Sequence, residues 1–226
     1  MVQIIPIRTR LANAYLLIGQ RAVLVDSGSA HSADRIVAAL KQAGLELSAL
    51  SLIVQTHAHY DHCGSTAELK RLSSVPVAVH QSEQNELEHG KNAAVVPVDW
   101  MGYLTRPFVA NQYEGVVADV LITDELDLRP YGVAASVIHT PGHTPGSVSV
   151  ITDGGDAIAG DLLGGGWMYG LLLPERPRYH YFVADLAAVR SGIRRVLEYS
   201  PTRIYVGHGG PLETQAVVRW FARKIG

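Results

Sequence analysis

The chain reads as a layered α/β protein whose strands build two sheets, or one mixed sheet, covered by helices rather than an all-β sandwich. Three observations carry that reading. β-rich runs are separated by turn residues, helical runs keep their apolar residues on one face, and one strand is apolar almost throughout, the pattern of a strand buried on both sides. With 226 residues, 47% of them hydrophobic, the chain is long enough to fill a sizeable core. Residues 1–226 are expected to form one domain.

The first strands are "VQIIPI", "AYLLIG" and "AVLVD", and only Gln20 and Arg21 separate the last two, which predicts a tight hairpin. Over 31–43, Ile36, Val37, Leu40 and Ala43 share one helical face, with Ser32 placed to cap the helix and Gly44 to stop it. The doubly buried strand is "LSLIVQT". After it Gly64 opens a helix, "STAELKRL", followed by strand "VPVAVH" and helix "QSEQNELEH". Residues 90–118 hold Trp100, Tyr103, Phe108, Tyr113 and two prolines without a sustained period. They are expected to form a long loop or irregular lid, a kind of segment that either carries function or simply packs over the surface. Four strand-like runs follow, "ELDLRP", "VAASVIHT", "SVSVIT" and "DAIAGD", with a turn at "DGGD". A glycine-rich loop "GGGWMYG" leads to a helix at about 185–199, with Leu186, Val189, Ile193, Val196 and Leu197 on one face, then to strand "RIYVGH" and helix "ETQAVVRWFARKI". "YLLIGQRAVLVDSG" and "VSVITDGGDAIAGD" share a strand, turn, strand layout that hints at two similar halves.

Charge and composition exclude several classes. A net charge of −2 offers no electrostatic footprint for a polyanion, so no nucleic-acid partner is expected. The single cysteine, Cys63, rules out an intrachain disulfide framework and suits a reducing compartment. No basic segment leads into an uninterrupted apolar stretch at the N-terminus, and nowhere do about 18 apolar residues run together. The expectation is a cytoplasmic protein with neither signal peptide nor membrane span, acting on a small-molecule substrate. Assembly into a homo-oligomer is left open.

The chemistry concentrates in "THAHYDH", residues 56–62, at the C-terminal end of the buried strand. In extended backbone, side chains two residues apart project to the same side, so His57 and His59 can take one metal ion together. Asp61 and His62 follow where the strand breaks, and can point past that ion towards a second. Imidazole nitrogen and carboxylate oxygen are ligands for zinc, iron and manganese. A lone histidine would read more plainly as part of a solvated turn or a helix cap; four donors at the end of a buried strand favour metal. Two ions need further ligands, and His143 in "HTPGHTPGS", Asp161 in "IAGDLL" and His208 in "IYVGHGGP" each stand where a strand stops, the position from which site residues of layered α/β folds project.

From about Asn13 to Pro211 this ordered set, Asp26 in "VDSG", "THAHYDH", "TPGHTPGS", "AGD" and "GHG", resembles the metallo-β-lactamase-fold hydrolase superfamily. The resemblance implies a four-layer αββα sandwich with mixed sheets and a site at one edge between them. It also implies that His57, His59 and His143 hold a first metal, that Asp61, His62 and His208 hold a second, and that Asp161 bridges both. Asp26 would orient ligands rather than bind metal. Cys63 is read as a small buried residue. Asp161 stands where zinc β-lactamases carry a cysteine or lack the bridging acid, so antibiotic hydrolysis is not expected. His31, His80, His89, His139 and His180 match no ligand position and are assigned to surface or packing. Tyr60 sits at a variable position of the motif. Each of Tyr103, Tyr113, Tyr169, Tyr179 and Tyr181 reads first as a packing residue, although one facing the site would donate to a reacting carbonyl oxygen.

Two divalent ions, zinc with iron or manganese as alternatives, would share a hydroxide that attacks an ester-like bond, with Asp61 orienting it and relaying a proton. Lactones, thioesters and phosphodiesters are all cleaved within this superfamily. Only 18 residues follow His208, which leaves no room there for the helical domain of glyoxalase II enzymes, the extra domain of RNA-processing nucleases or a flavodoxin module. His59 stands where di-iron oxygen reductases of this fold have glutamate. Two other readings remain at this point. One is a mononuclear iron persulfide dioxygenase using His57, His143 and Asp161, and the other is a metal-dependent sensor without turnover.

Overall fold

A computed structural model describes residues 2–109 and 112–225. The first sheet comprises β1 (Gln3–Arg8), β2 (Asn13–Ile18), β3 (Ala22–Val25), β4 (Leu50–Val54), β5 (Val77–His80) and, beyond the short β6 (Val96–Pro97), β7 (Val120–Ile122), in the order β1-β2-β3-β4-β5-β7. β1, β2 and β3 are antiparallel, whereas β3, β4, β5 and β7 run parallel. Ile18 pairs with Ala22, so the predicted hairpin closes over 19–21.

The second sheet takes β8 (Glu125–Asp127), β9 (Ala135–His139), β10 (Val148–Thr152) and β11 (Asp156–Ile158). After the small strands β12 (Gly164–Trp167), β13 (Leu172–Arg178) and β14 (Phe182–Val183), β15 (Arg203–Tyr205) and β16 (Leu212–Glu213) complete it in the order β16-β15-β11-β10-β9-β8. Here too an antiparallel hairpin, β10–β11, runs into a parallel pair, β11–β15. The echo between the two sequence segments corresponds to this shared layout.

Alternation explains the layers. Successive strand residues face opposite sides, so β3 turns Val23 and Val25 inward to meet Val137, Val148 and Val150 of the second sheet. Its Leu24 faces outward with Ile53 onto α1 (Ala33–Gln42), through Ile36 and Leu40. Two short helices follow β4: α2 (Tyr60–Cys63) and α3 (Thr66–Ser73), the latter adding Leu69 to this outer core. On the far side Ile138, Ile151 and Ile204 pack against α6 (Leu186–Glu198) through Val189, Ile193 and Val196, and against α7 (Thr214–Ile225) through Val217 and Phe221. Every residue of β4 is buried, as its apolar run predicts, and each such large side chain contributes about 1.5–3 kcal/mol.

The expected helices appear with small adjustments. Ser32 stands at the N-cap of α1 but makes no side-chain cap bond; its backbone N–H donates to Ser65 Oγ instead. α6 has a working cap, Asp185 Oδ1 accepting from the N–H groups of Ala187 and Ala188. The 90–118 segment contains more than loop. After α4 (Gln84–His89), β6 pairs with β14, and α5 (Trp100–Thr105) forms one and a half turns capped by Asp99. Ala110 and Asn111 of this segment lie outside the described residues. The glycine-rich "GGGWMYG" is likewise not a plain loop: it forms β12 and its turn, paired antiparallel with β13. Among the described residues no helix is long and apolar enough to cross a membrane.

Candidate metal centre

The ends of β3 and β4, parallel neighbours, lie side by side at one edge of the first sheet. Asp26, in the left-handed region at φ 61°, turns its carboxylate under the strand end. Oδ1 accepts from Thr56 N–H (2.7 Å), and Oδ2 accepts from Thr56 Oγ1 (2.8 Å) and His62 Nδ1 (2.8 Å). Thr56 Oγ1, its proton committed to Asp26, is left to accept from His57 Nδ1 at 3.0 Å. One carboxylate thus sets two imidazoles, directly and through a threonine, as expected of a residue that orients ligands.

The same bookkeeping holds for the other histidines. His59 Nε2 donates to Ala93 O (3.0 Å), His143 Nδ1 to Phe182 O (2.8 Å) and His208 Nδ1 to Leu11 O (3.1 Å). His59 and His143 therefore turn their other nitrogen, a bare lone pair, to the centre, while His208 points Nε2 at the carboxylates of Asp61 (3.2 Å) and Asp161 (3.4 Å). His57 Nε2 and His143 Nε2 each lie 3.1 Å from His59 Nδ1. With every ring proton committed elsewhere, these are contacts between lone pairs, which repel unless a cation lies among them. Among the described residues His62 Nε2 and Asp161 Oδ1 are buried without a hydrogen-bond partner, another demand for a ligand that these protein atoms do not meet.

The structure brings all seven sequence-nominated donors together. His57, His59 and His143 form one group, and Asp61, His62 and His208 another, with ligand atoms in each lying within 4.8 Å of one another. Asp161 Oδ2 stands between them, 3.6 Å from His143 Nε2, 3.5 Å from His62 Nε2 and 3.4 Å from His208 Nε2. This donor set, nitrogen with carboxylate oxygen, fits divalent zinc, iron or manganese.

Electrostatics agree with a cation site. Burial, then the neighbouring imidazoles, hold His57 well below the ordinary histidine value; burial likewise lowers His143. Burial opposes charge on His62 and His208 as well, but Asp161 leads the carboxylates that outweigh it. His62 rises well above its usual value and His208 to about 10. Asp61 and Asp161 shift the other way: burial would raise both, and the surrounding histidines keep both ionised. In the protein alone, protons on His62 and His208 supply positive charge that the buried carboxylates require.

One residue assigned to surface or packing belongs here. His180, between β13 and β14, is 6% exposed and points Nε2 to within 3.3 Å of Asp161 Oδ2. Its ring lies 4.7 Å from that of His143, and burial brings its pKa down to about 4. Nothing in its spacing signals this, because the β12–β13 hairpin carries it back to the centre from outside any strand-end motif. The other four behave as expected: His31 and His89 are exposed, and His80 stacks on His139 at 3.9 Å. Cys63 is buried, its thiol donating to His57 O, and burial pushes its pKa up.

Of the five nominated tyrosines, Tyr169 approaches the centre, its ring 5.2 Å from His208 and its hydroxyl bonded to Thr105 of α5. Tyr179 packs on Trp220, and Tyr103 is 66% exposed. Above the donors opens a cavity of about 850 Å³, whose walls include Tyr60, Leu11, Phe108, Val109, Met168 and Leu171.

The profile described as Metallo-beta-lactamase superfamily matches residues 7–208. A probable metallo-hydrolase of Methanocaldococcus jannaschii, MJ0888, is 28% identical over 202 residues, which cover 88% of this chain and 87% of the relative. A hydroxyacylglutathione hydrolase of Methylobacillus flagellatus is 30% identical (92% of this chain, 66% of the relative). An N-acyl homoserine lactonase of a Bacillus species is 28% identical over a shorter stretch (53% and 40%). Among solved structures, BLEG-1 B3 metallo-beta-lactamase superposes with a TM-score of 0.68 at 26% identity, covering 97% of both chains. TTHA1623 in a di-iron-bound form gives 0.67 at 25%, covering 95% of this chain and 97% of the other. With strand-end donors gathered between two sheets and the family profile spanning nearly all of it, the chain belongs to the metallo-beta-lactamase superfamily.

Proposed function

We propose that this protein is a dinuclear, zinc-dependent hydrolase that cleaves an ester-like bond, in a lactone, thioester or phosphodiester, of a small molecule with an apolar body. The observation that carries the reading is the convergence of two donor triads and Asp161 beneath one cavity. His57, His59 and His143 would hold one ion, Asp61, His62 and His208 the other, and Asp161 would touch both. Two such ions supply a water that ionises near neutral pH and a Lewis acid for the bond under attack.

The chain's own residues do the rest. Asp61 retains 23% side-chain exposure towards the cavity and lies 3.2 Å from His208 Nε2. Held ionised, its Oδ2 accepts the proton of the incoming water and returns it to the leaving atom. Tyr169, whose pKa burial raises, keeps its phenolic proton as a donor. Leu11, Phe108, Val109, Met168 and Leu171 give an acyl chain apolar walls, while Arg8, Arg10 and Arg106 also line the cavity and suit an anionic group on the same molecule. The relatives named hydroxyacylglutathione hydrolase and N-acyl homoserine lactonase support an acyl substrate.

Initial rates of the zinc-, manganese- and iron-loaded protein on an acyl homoserine lactone, a glutathione thioester, a phosphodiester and a chromogenic cephalosporin test this. A metal-dependent rate on an acyl probe is expected, with Asp61→Asn lowering it by about 10²–10⁴-fold, the range for loss of a positioned acid–base group. Protein shown to carry two ions yet silent on every probe would contradict the proposal.

A further inference from the structure

Among the described residues eight side chains, rather than seven, turn a donor atom towards the centre. His180 Nε2 is buried without a hydrogen-bond partner among the described residues. It lies 3.3 Å from Asp161 Oδ2 and forms a compact group with His143 and Asp161, ligand atoms within 4.8 Å of one another. Leaving such an atom unsatisfied costs about 1–3 kcal/mol, so its persistence calls for a partner.

The ring's other nitrogen helps to identify that partner. His180 Nδ1 lies 3.1 Å from Phe182 O, to which it donates in one tautomer, and 3.3 Å from the Phe182 N–H, from which it accepts in the other; a cation at Nε2 requires the first tautomer, with the proton on Nδ1. The same carbonyl accepts from His143 Nδ1 at 2.8 Å, and its two lone pairs serve both rings. In that tautomer His143 and His180 are anchored alike, each with Nε2 bare and aimed at the region of Asp161 Oδ2. A protein donor for His180 Nε2 is lacking among the described residues, and Asp161 Oδ2, 3.3 Å away, repels a lone pair as another lone pair does.

We infer that His180 is an eighth metal donor, binding through Nε2 an ion that Asp161 also touches. The inference rests on the metal reading of the site. Because His180 comes from the β12–β13 hairpin side and not from a strand end of either large sheet, this ligand can leave without dismantling the other seven.

Cobalt(II)-loaded full-length protein tests it by proton NMR in water. Every imidazole bound to the paramagnetic ion shows its remaining ring N–H as a strongly shifted signal that disappears in D₂O. His57, His59, His62, His143 and His208 account for five such protons, and His180 Nδ1–H would be the sixth. Six signals in the wild type, five in His180→Gln with the others little moved, and an approximately tenfold weaker hold on one ion in chelator competition are expected. Five signals in the wild-type spectrum would overturn the role of His180 whether or not the variant folds, while leaving the metal centre intact. Absence of any shifted exchangeable signal would overturn the metal reading itself.

Discussion

Asp26 touches Thr56 and His62, yet through them it decides which nitrogen of two imidazoles carries the proton. Asp26→Asn presents an amide where His62 Nδ1–H needs an acceptor. The expected result is a 10- to 100-fold loss of affinity for the ion at Asp61, His62 and His208, read by chelator competition, with the His57, His59 and His143 position less affected. The seven side chains that converge at the centre were legible in the sequence because they follow strand ends, Asp61 and His62 in the short α2 after β4, and most stand in short, ordered motifs with glycine or another such side chain beside them. His180 was not legible: it follows "RPRY" in a run without alternation, and only the tertiary return of the hairpin brings it to Asp161.

At the scale of elements, the cavity wall is made where α5 meets the β12–β13 hairpin, through the hydrogen bond between the Thr105 and Tyr169 hydroxyls. α5 is six residues long, too short for a helical period to emerge, so the sequence shows only an aromatic segment without pattern. The hairpin is hidden for another reason. Three consecutive glycines suggest a loop, and the partner strand "LLPERPR" mixes prolines and charges without an apolar face. What makes pairing workable is Gly166, at φ 69°, in a bulge where a Cβ would meet Leu172 O at 2.2 Å. Removing 100–108 strips Phe108 from the wall and Thr105 from Tyr169. KM for long-chain acyl substrates should rise several-fold while short-chain analogues change little, and equal effects on both would reject a substrate-facing role for the segment.

For the molecule as a whole, the centre makes stability depend on pH when metal is withheld. An unfolded histidine titrates near 6.5, whereas His180 in the fold stays neutral down to about 4. Its contribution is therefore complete above 6.5 and lost as pH falls towards 4. His208 has the opposite sign: raised to about 10, it contributes fully below 6.5 and loses that contribution as pH climbs towards 10. The denaturation midpoint of metal-free protein should peak near neutrality and fall on both sides, a profile that urea titrations at roughly pH 5, 7 and 9 would measure. Metal in place of the His208 proton should remove the alkaline decline. The layered architecture was readable from alternation along the strands; the strand order was not, since parallel neighbours such as β11 and β15 lie far apart in the chain. That order has its own implication. All strands of the first large sheet lie at or before Ile122 and all those of the second at or after Glu125, yet His57 and His59 meet His143 across that divide, as Asp61 and His62 meet His208. On the proposed assignment neither half of the chain completes an ion's ligand set alone, so during refolding metal capture should follow the joining of the halves and serve as its clock.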